Sequence, residues 1–401
     1  MEISLNISQR VHSITTSPTV TIAAKAILLR RQKVDVIDLS VGEPDFPTPG
    51  HIKEAAKKAI DANLTKYTLN SGILELREAI AQKLKNDYHI EYDTDEIIVS
   101  NGAKQCIINV ILSLINRGDE VIIPAPYWVS YPQMVKLAEG QPKIIQTREE
   151  NGFRLTAQDL KENVSTKTKA IILCNPSNPT GSIYSKEELE NLSEIIESRQ
   201  LFLIADEIYS KLTYDNITFV SSAAVNEIMR RRTIIVHGVS KAYAMTGWRI
   251  GYAAGDRTII EAANKIQSHS TSNASSISQY ATLEALTGPQ DEIIKMRIEF
   301  ERRRDYVFNR LTMMQGITCY KPSGAFYVFP NISSFFGKHY RDYAICNSSE
   351  LAEFILQEVK VAFVPGSAFG DDHHIRISYA TSMNNLERGM DRIEEALGRL
   401  D

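Results

Sequence analysis

Cysteine is scarce in this chain: Cys106, Cys174, Cys319 and Cys346 are the only four, and no two of them form a C-x-x-C pair. That spacing excludes a finger-type zinc site and offers no disulfide framework, so buried, reduced thiols are expected, with Cys106 and Cys174 inside apolar runs. Long apolar stretches are missing as well. No segment approaches the roughly 18 uninterrupted apolar residues of a membrane span, and Met1 to Arg10 lacks a basic start followed by an apolar run, which points to a soluble cytoplasmic protein. Neither sign of charge dominates: 45 basic against 49 acidic residues leave a formal net charge of −4. Nothing in that balance calls for nucleic acid or an anionic membrane as partner. The adjacent His373 and His374 point apart on a strand and have no supporting ligand spacing, so no metal is expected.

What is present is an ordinary globular composition, 43% hydrophobic and 23% charged, on 401 residues, a length that suggests two or more domains. Continuous apolar runs read as strands at Ile97 to Ser100, Val121 to Ile123, Lys143 to Gln146, Ala170 to Cys174, Leu201 to Ala205, Thr233 to Val236 and Ile250 to Ala254. Helical stretches lie between several of them. That alternation predicts an α/β fold built on a mainly parallel sheet covered on both faces. Before it come a polar arm, Ile3 to Pro18, a helical pattern ending near Leu29, a short strand at Val36 to Leu39 and a turn at Gly42 to Pro47. After Gly288-Pro289 a charged helix, about Asp291 to Met314, leads into a smaller α+β unit. The expected boundaries are 1–47 for the arm and part of the small domain, 48–290 for the large domain and 291–401 for the small one.

Ligands of such sheets bind beyond the carboxyl ends of the strands, and the chemistry-bearing residues sit there. Asn175-Pro176-Ser177-Asn178-Pro179-Thr180-Gly181 follows one strand, Asp206-Glu207-Ile208-Tyr209 another, and Ser240-Lys241 a third, with Arg249 shortly beyond. A lysine in a water-poor pocket loses its proton below its reference pKa of about 10.4 and becomes a nucleophile toward carbonyls. An arginine offers a planar fork of donors to a phosphate. Ser100 runs into Asn101-Gly102-Ala103-Lys104, a strand, glycine turn and helix start whose free amides and dipole favour an anion. Ile107, Ile108, Ile111, Leu112 and Ile115 are read on one face of that helix.

The order of these elements, with Arg376 late in the chain, resembles the class I aminotransferases that use pyridoxal phosphate, from Gly42-Glu43-Pro44-Asp45-Phe46 onward. The flank Tyr243 to Tyr252 is most similar to bacterial aspartate aminotransferases of the gamma subgroup. The resemblance implies fold type I: a seven-stranded large domain, a smaller α+β domain, and a homodimer with shared active sites. It implies ping-pong transfer of the amino group of L-aspartate to 2-oxoglutarate, with aromatic amino acids or prephenate as the alternative substrates. In that scheme Lys241 is the catalytic amine that holds the cofactor's aldehyde and moves the proton. Asp206 keeps the pyridine nitrogen protonated, Tyr209 and Asn178 bond the phenolic oxygen, and Trp128 stacks on the ring. Arg249, Ser240 and the helix start at Gly102, Ala103 and Lys104 hold the phosphate, while Tyr67 reaches the phosphate of the neighbouring subunit. Gly238, three positions before the lysine, stands where a phosphate-binding serine is frequent. Arg376 forks onto the substrate α-carboxylate, with the backbone of Gly42 nearby. Lys104 takes the second carboxylate, and Ser268 stands where better-known members use an arginine of the partner. Thr15 stands where relatives active on prephenate carry a lysine.

Overall fold

The structure, a computed structural model, describes residues 7–16 and 18–401, so the arm read over Ile3 to Pro18 lies partly outside the described residues. A two-residue strand, β1 (Ile37–Asp38), comes first. The central sheet then gathers β2 (Ile97–Ser100), β3 (Glu120–Ala125), β4 (Gln141–Gln146), β5 (Thr168–Cys174), β6 (Phe202–Asp206), β7 (Thr233–Gly238) and β8 (Gly251–Ala254) in the order β2-β8-β7-β6-β5-β3-β4. The pairs β3–β4, β3–β5, β5–β6 and β6–β7 are parallel, whereas β8 runs antiparallel to both β2 and β7. Every sheet strand read from the apolar runs is present: β3, β4, β5 and β7 are longer by two or three residues, β2 is as read, β6 is shifted by one residue and β8 begins one residue later.

The continuous apolar character of the strands follows from burial on both faces. Side chains alternate across a strand, so Ile97 and Val99 enter one core together with Leu203 and Ile235, while Ile98 enters the other with Ile204 and Val236. The helix Ala103–Leu114 covers the second core through Cys106, Ile107, Val110 and Ile111. Leu112 departs from the expected face and is 42% exposed, because one residue past Ile111 is about 100° around the helix. Ile108 is only half-buried.

The rest of the chain builds a second unit. It contains β9 (Tyr327–Val328), a hairpin of β10 (His339–Tyr340) and β11 (Tyr343–Ala344), then β12 (Val361–Ala362), β13 (Val364–Pro365) and β14 (Ile375–Ser378). An antiparallel sheet runs β13-β14-β9, and β1 pairs in parallel with β12. The amide of Leu39 donates to the Ala362 carbonyl at 2.7 Å and that of Ser378 to the Leu39 carbonyl at 2.8 Å, which stitches the early segment into this late unit. The terminal helix Met383–Leu397 packs on it through Leu386, Met390, Ile393 and Leu397, spaced at helical turns. No helix of the described residues is long and apolar enough to cross a membrane.

The parallel strands end together at Ala125, Cys174, Asp206 and Gly238. Ser100 joins that edge because its antiparallel pairing with β8, and β8's with β7, reverse direction twice. Gly251 pairs with both Ser100 and Gly238. A side-chain carbon at Gly251 would lie 2.2 Å from the Ala103 nitrogen, so only glycine lets the helix start sit directly on the sheet edge.

Candidate active site

Beyond these strand ends lies a cavity of about 550 Å³, and Gly42, Ala103, Lys104, Trp128, Asn178, Asp206, Tyr209, Ser240, Lys241, Arg249 and Arg376 all line it. Residues far apart in sequence thus meet around one space of the size that holds a cofactor or small ligand. Gly102 stands just behind, at φ +84°, where a Cβ would fall 2.4 Å from the Arg249 guanidinium. Tyr67 and Ser268 are not brought to it: Tyr67 is 91% exposed, and the Ser268 hydroxyl donates to the Lys265 carbonyl within its own helix.

Lys241 follows β7 in a tight turn that a Thr48 relay holds in place. The Thr48 hydroxyl donates to the Ala244 carbonyl at 2.6 Å and accepts from the Trp248 indole at 3.0 Å. The lysine Nζ donates to the Gly42 carbonyl at 2.5 Å. Burial, and then the positive charge of Arg376, pull its pKa down to about 8. A substantial fraction is therefore neutral, and nucleophilic, near physiological pH.

Asp206 ends β6, 4% exposed. Its Oδ2 accepts from the Tyr131 hydroxyl at 2.7 Å and its Oδ1 from the Ile208 amide at 3.3 Å. Burial raises its pKa, and the Tyr131 bond opposes that shift. Such a carboxylate gains most from a cationic donor placed in the cavity, which would repay its lost hydration.

The other end of the cavity is an anion cradle. Arg249 adopts a left-handed backbone, φ 57° and ψ 53°, uncommon for a residue with a side chain. That turn lays the guanidinium against Gly102, with Nη1 donating to the Thr246 carbonyl at 2.9 Å. The first amides of the helix Ala103–Leu114 have no intrahelical acceptor and point to the same place.

Two further cations face the space. Arg376, 3% exposed, bonds Asn178 Oδ1 at 3.0 Å and the Ser40 carbonyl at 2.6 Å. Among the described residues its buried Nε has no hydrogen-bond partner and no carboxylate forms an ion pair with it. Lys104 sits at the rim with Nζ 4.8 Å from the Trp128 ring centre. Desolvation, and then the charge of Arg249, lower its pKa.

Three site residues escaped the sequence reading. Tyr327 is hydrogen-bonded to the Tyr209 hydroxyl at 2.9 Å and stacks under Arg376, 4.5 Å from ring centre to guanidinium carbon. Tyr131 holds Asp206, and Cys174 lines the cavity beside it. Tyr131 stands one helical turn after Trp128, the one local signal that pointed there. His374, read as unsupported, lies between Asp371 at 2.9 Å and Glu149 at 3.5 Å. Asp371 stands only three residues before it, whereas Glu149 opens a short 3-10 turn far away in sequence, beyond the reach of local spacing.

The residues fit pyridoxal phosphate on two observations: among the described residues no cation forms an ion pair with the buried Asp206, and the cradle at Gly102 and Gly251 admits no side chain. Comparison with known proteins agrees. The model of the family "Aminotransferase class I and II" matches residues 34–393. The chain is 47% identical over 393 residues to a probable aspartate/prephenate aminotransferase of Rickettsia conorii, covering 98% of each. It superposes on the crystal structure of the aspartate aminotransferase from Rhizobium meliloti with TM-score 0.96 and 42% identity, over 99% of this chain and 100% of the other. A Thermus thermophilus aspartate aminotransferase solved with maleate gives TM-score 0.92 at 39% identity, over 98% and 100%. Similarity of that extent, from one end of the fold to the other, makes this chain a member of the class I and II aminotransferases, fold type I enzymes that depend on pyridoxal phosphate.

Proposed function

We propose that the protein is a homodimeric, cytoplasmic aminotransferase that moves the amino group of L-aspartate to 2-oxoglutarate, giving oxaloacetate and L-glutamate. The observation that carries the substrate class is the pair of cations facing the cavity, Arg376 buried without a carboxylate partner among the described residues and Lys104 at the rim. Two cations suit a substrate with two carboxylates. Maleate, present in the Thermus relative, is such a dicarboxylate.

Pyridoxal phosphate supplies an aldehyde and an electron-accepting ring. Lys241 is placed to hold that aldehyde and then to carry a proton as general base and acid, a task suited to a pKa of about 8. Asp206 keeps the ring nitrogen protonated, Tyr209 and Asn178 bond the phenolic oxygen, and Trp128 covers the ring. Arg249, Ser240 and the amides at Gly102, Ala103 and Lys104 hold the phosphate. Arg376, with the Gly42 backbone, Trp128 and Asn178 around it, orients the α-carboxylate, and Lys104 receives the distal one. Tyr67, 91% exposed, is free to reach the partner's site, which supports that role, and Ser268 stands where better-known members use an arginine of the partner. Residues 48–290 form the large domain and 291–401 the small one, with 1–47 as the arm and part of the small domain. The β1–β12 pairing supports that last assignment.

A second reading has one observation in favour: the Rickettsia relative is named for prephenate as well as aspartate. Thr15, at the position tied to that activity, is exposed, and its amide donates to Gln133 at 3.2 Å. The test is the absorbance band of the loaded protein on adding aspartate, alanine or phenylalanine, with prephenate as an amino acceptor in a separate assay. Bleaching by aspartate, with the preference lost in Lys104→Ala, supports the proposal. Stronger bleaching by phenylalanine than by aspartate would sink it.

A further inference from the structure

Tyr131 lies in the first turn of the helix Ser130–Leu137 and is 1% exposed. Its hydroxyl reaches Asp206 Oδ2 at 2.7 Å, whereas the amide of Ile208 is 3.3 Å from Oδ1. The tyrosine therefore supplies the shorter of the two bonds that orient this carboxylate. Its ring also meets Trp128 edge-on, with centres 5.3 Å apart and planes at 80°. One side chain thus touches both the carboxylate at the base of the cavity and the indole on its wall.

We infer that Tyr131 is a positioning residue for the cofactor, its hydroxyl aiming the Asp206 carboxylate at the ring nitrogen and holding it in the charged form. The inference rests on the aminotransferase reading of the site. A short bond from a neutral donor to a carboxylate stabilises the anion and stops its rotation. Burial drives Asp206 toward the neutral form, and the tyrosine bond works against it. Burial and the charge of Asp206 push the Tyr131 phenol far above its ordinary pKa, so it stays a donor at any working pH. The competing account is that Tyr131 serves the core alone, since it packs in the same cluster as Ile172 and Val236. Under that account its ring matters and its hydroxyl has no connection with the cofactor's nitrogen.

Binding of two compounds to the full-length apoprotein separates the accounts: pyridoxal phosphate, and its 1-deaza analogue with carbon in place of the ring nitrogen. Absorbance and fluorescence titrations are run on wild type, Tyr131→Phe and Tyr131→His, with thermal melts to confirm folding. The expected result is that Tyr131→Phe binds pyridoxal phosphate roughly 10-fold more weakly, the size typical of a hydrogen bond to a charged group, and binds the analogue as wild type does. Tyr131→His, which keeps an N–H donor, recovers part of the loss. Equal weakening toward both compounds, or no weakening toward either, overturns the inference. Should Tyr131→Phe fail to fold, the histidine variant decides: a retained preference for the ring with nitrogen supports the role, and a lost preference in a folded variant overturns it. Wild type that takes up neither compound would instead sink the aminotransferase reading itself.

Discussion

Arg376 Nη1 donates to Asn178 Oδ1 at 3.0 Å, a bond between β14 of the smaller unit and the loop after β5 of the central sheet. Its Nη2 is engaged by the Ser40 carbonyl at 2.6 Å. The fork is therefore already held in place before any carboxylate arrives, which lowers the entropy lost on binding.

Replacing Arg376 by lysine keeps the charge and removes the fork. Activity, as kcat/KM for aspartate, is expected to fall about 100-fold or more, since a bidentate charged contact contributes on the order of 3 kcal/mol. Steady-state kinetics at fixed cofactor saturation check this, and an unchanged kcat/KM would remove Arg376 from carboxylate binding.

The lowered pKa of Lys241 has a sign that can be read directly. Only the neutral amine reacts with an aldehyde, and the neutral fraction rises with pH. The rate at which apoprotein takes up pyridoxal phosphate should therefore increase through a midpoint near pH 8. An ordinary exposed lysine would place that midpoint near 10.4. Lys241→Ala should lose the covalent absorbance band at every pH.

Gly251 is the contact on which the anion cradle depends. A methyl group there would stand 2.2 Å from the Ala103 nitrogen and 2.5 Å from the Gly102 carbonyl carbon, both backbone atoms. Gly251→Ala should push the helix start off the sheet edge and weaken cofactor affinity at least 10-fold, with a stability loss of about 1–3 kcal/mol. Equilibrium dialysis against pyridoxal phosphate and a urea melt measure the two effects; Gly50→Ala, where nothing lies within 4 Å, is the control.

His374 carries a pH-dependent part of the stability. Burial among Phe329 and Phe153 opposes its charge, but the bonds to Asp371 and Glu149 outweigh burial and raise its pKa above 6.5. A raised pKa in the folded state stabilises fully below the unfolded value and is lost as pH rises through the folded one. Urea unfolding of wild type and His374→Gln should accordingly differ more at pH 6 than at pH 9. Asp371 has the opposite sense: its lowered pKa contributes above the unfolded carboxylate range and is lost in acid. A difference that grows with pH would contradict the assignment.

The amino-acid order by itself determined the strands and the chemistry at their ends. Six of the seven runs were legible because strands buried on both faces need uninterrupted apolar residues, the exception being the largely exposed edge strand β4. Lys241, Asp206 and Asn178 were legible because each stands shortly after such a run, and Arg249 because it stands just before the run Ile250 to Ala254, in a local pattern of glycines and polar residues. What only the tertiary structure decided depends on packing between distant segments. The Tyr131 hydroxyl on Asp206, the Tyr327 hydroxyl on Tyr209 and the Lys241 amine on the Gly42 carbonyl join positions that share no local pattern. The reversed direction of β8 was equally hidden, since an apolar run reads the same for either pairing. So was the exposure of Leu112 beside the buried Ile111. Composition states which residues prefer burial, but strand direction, helix rotation and hydroxyl partners follow from how whole surfaces fit, and that fit exists only once the chain has folded.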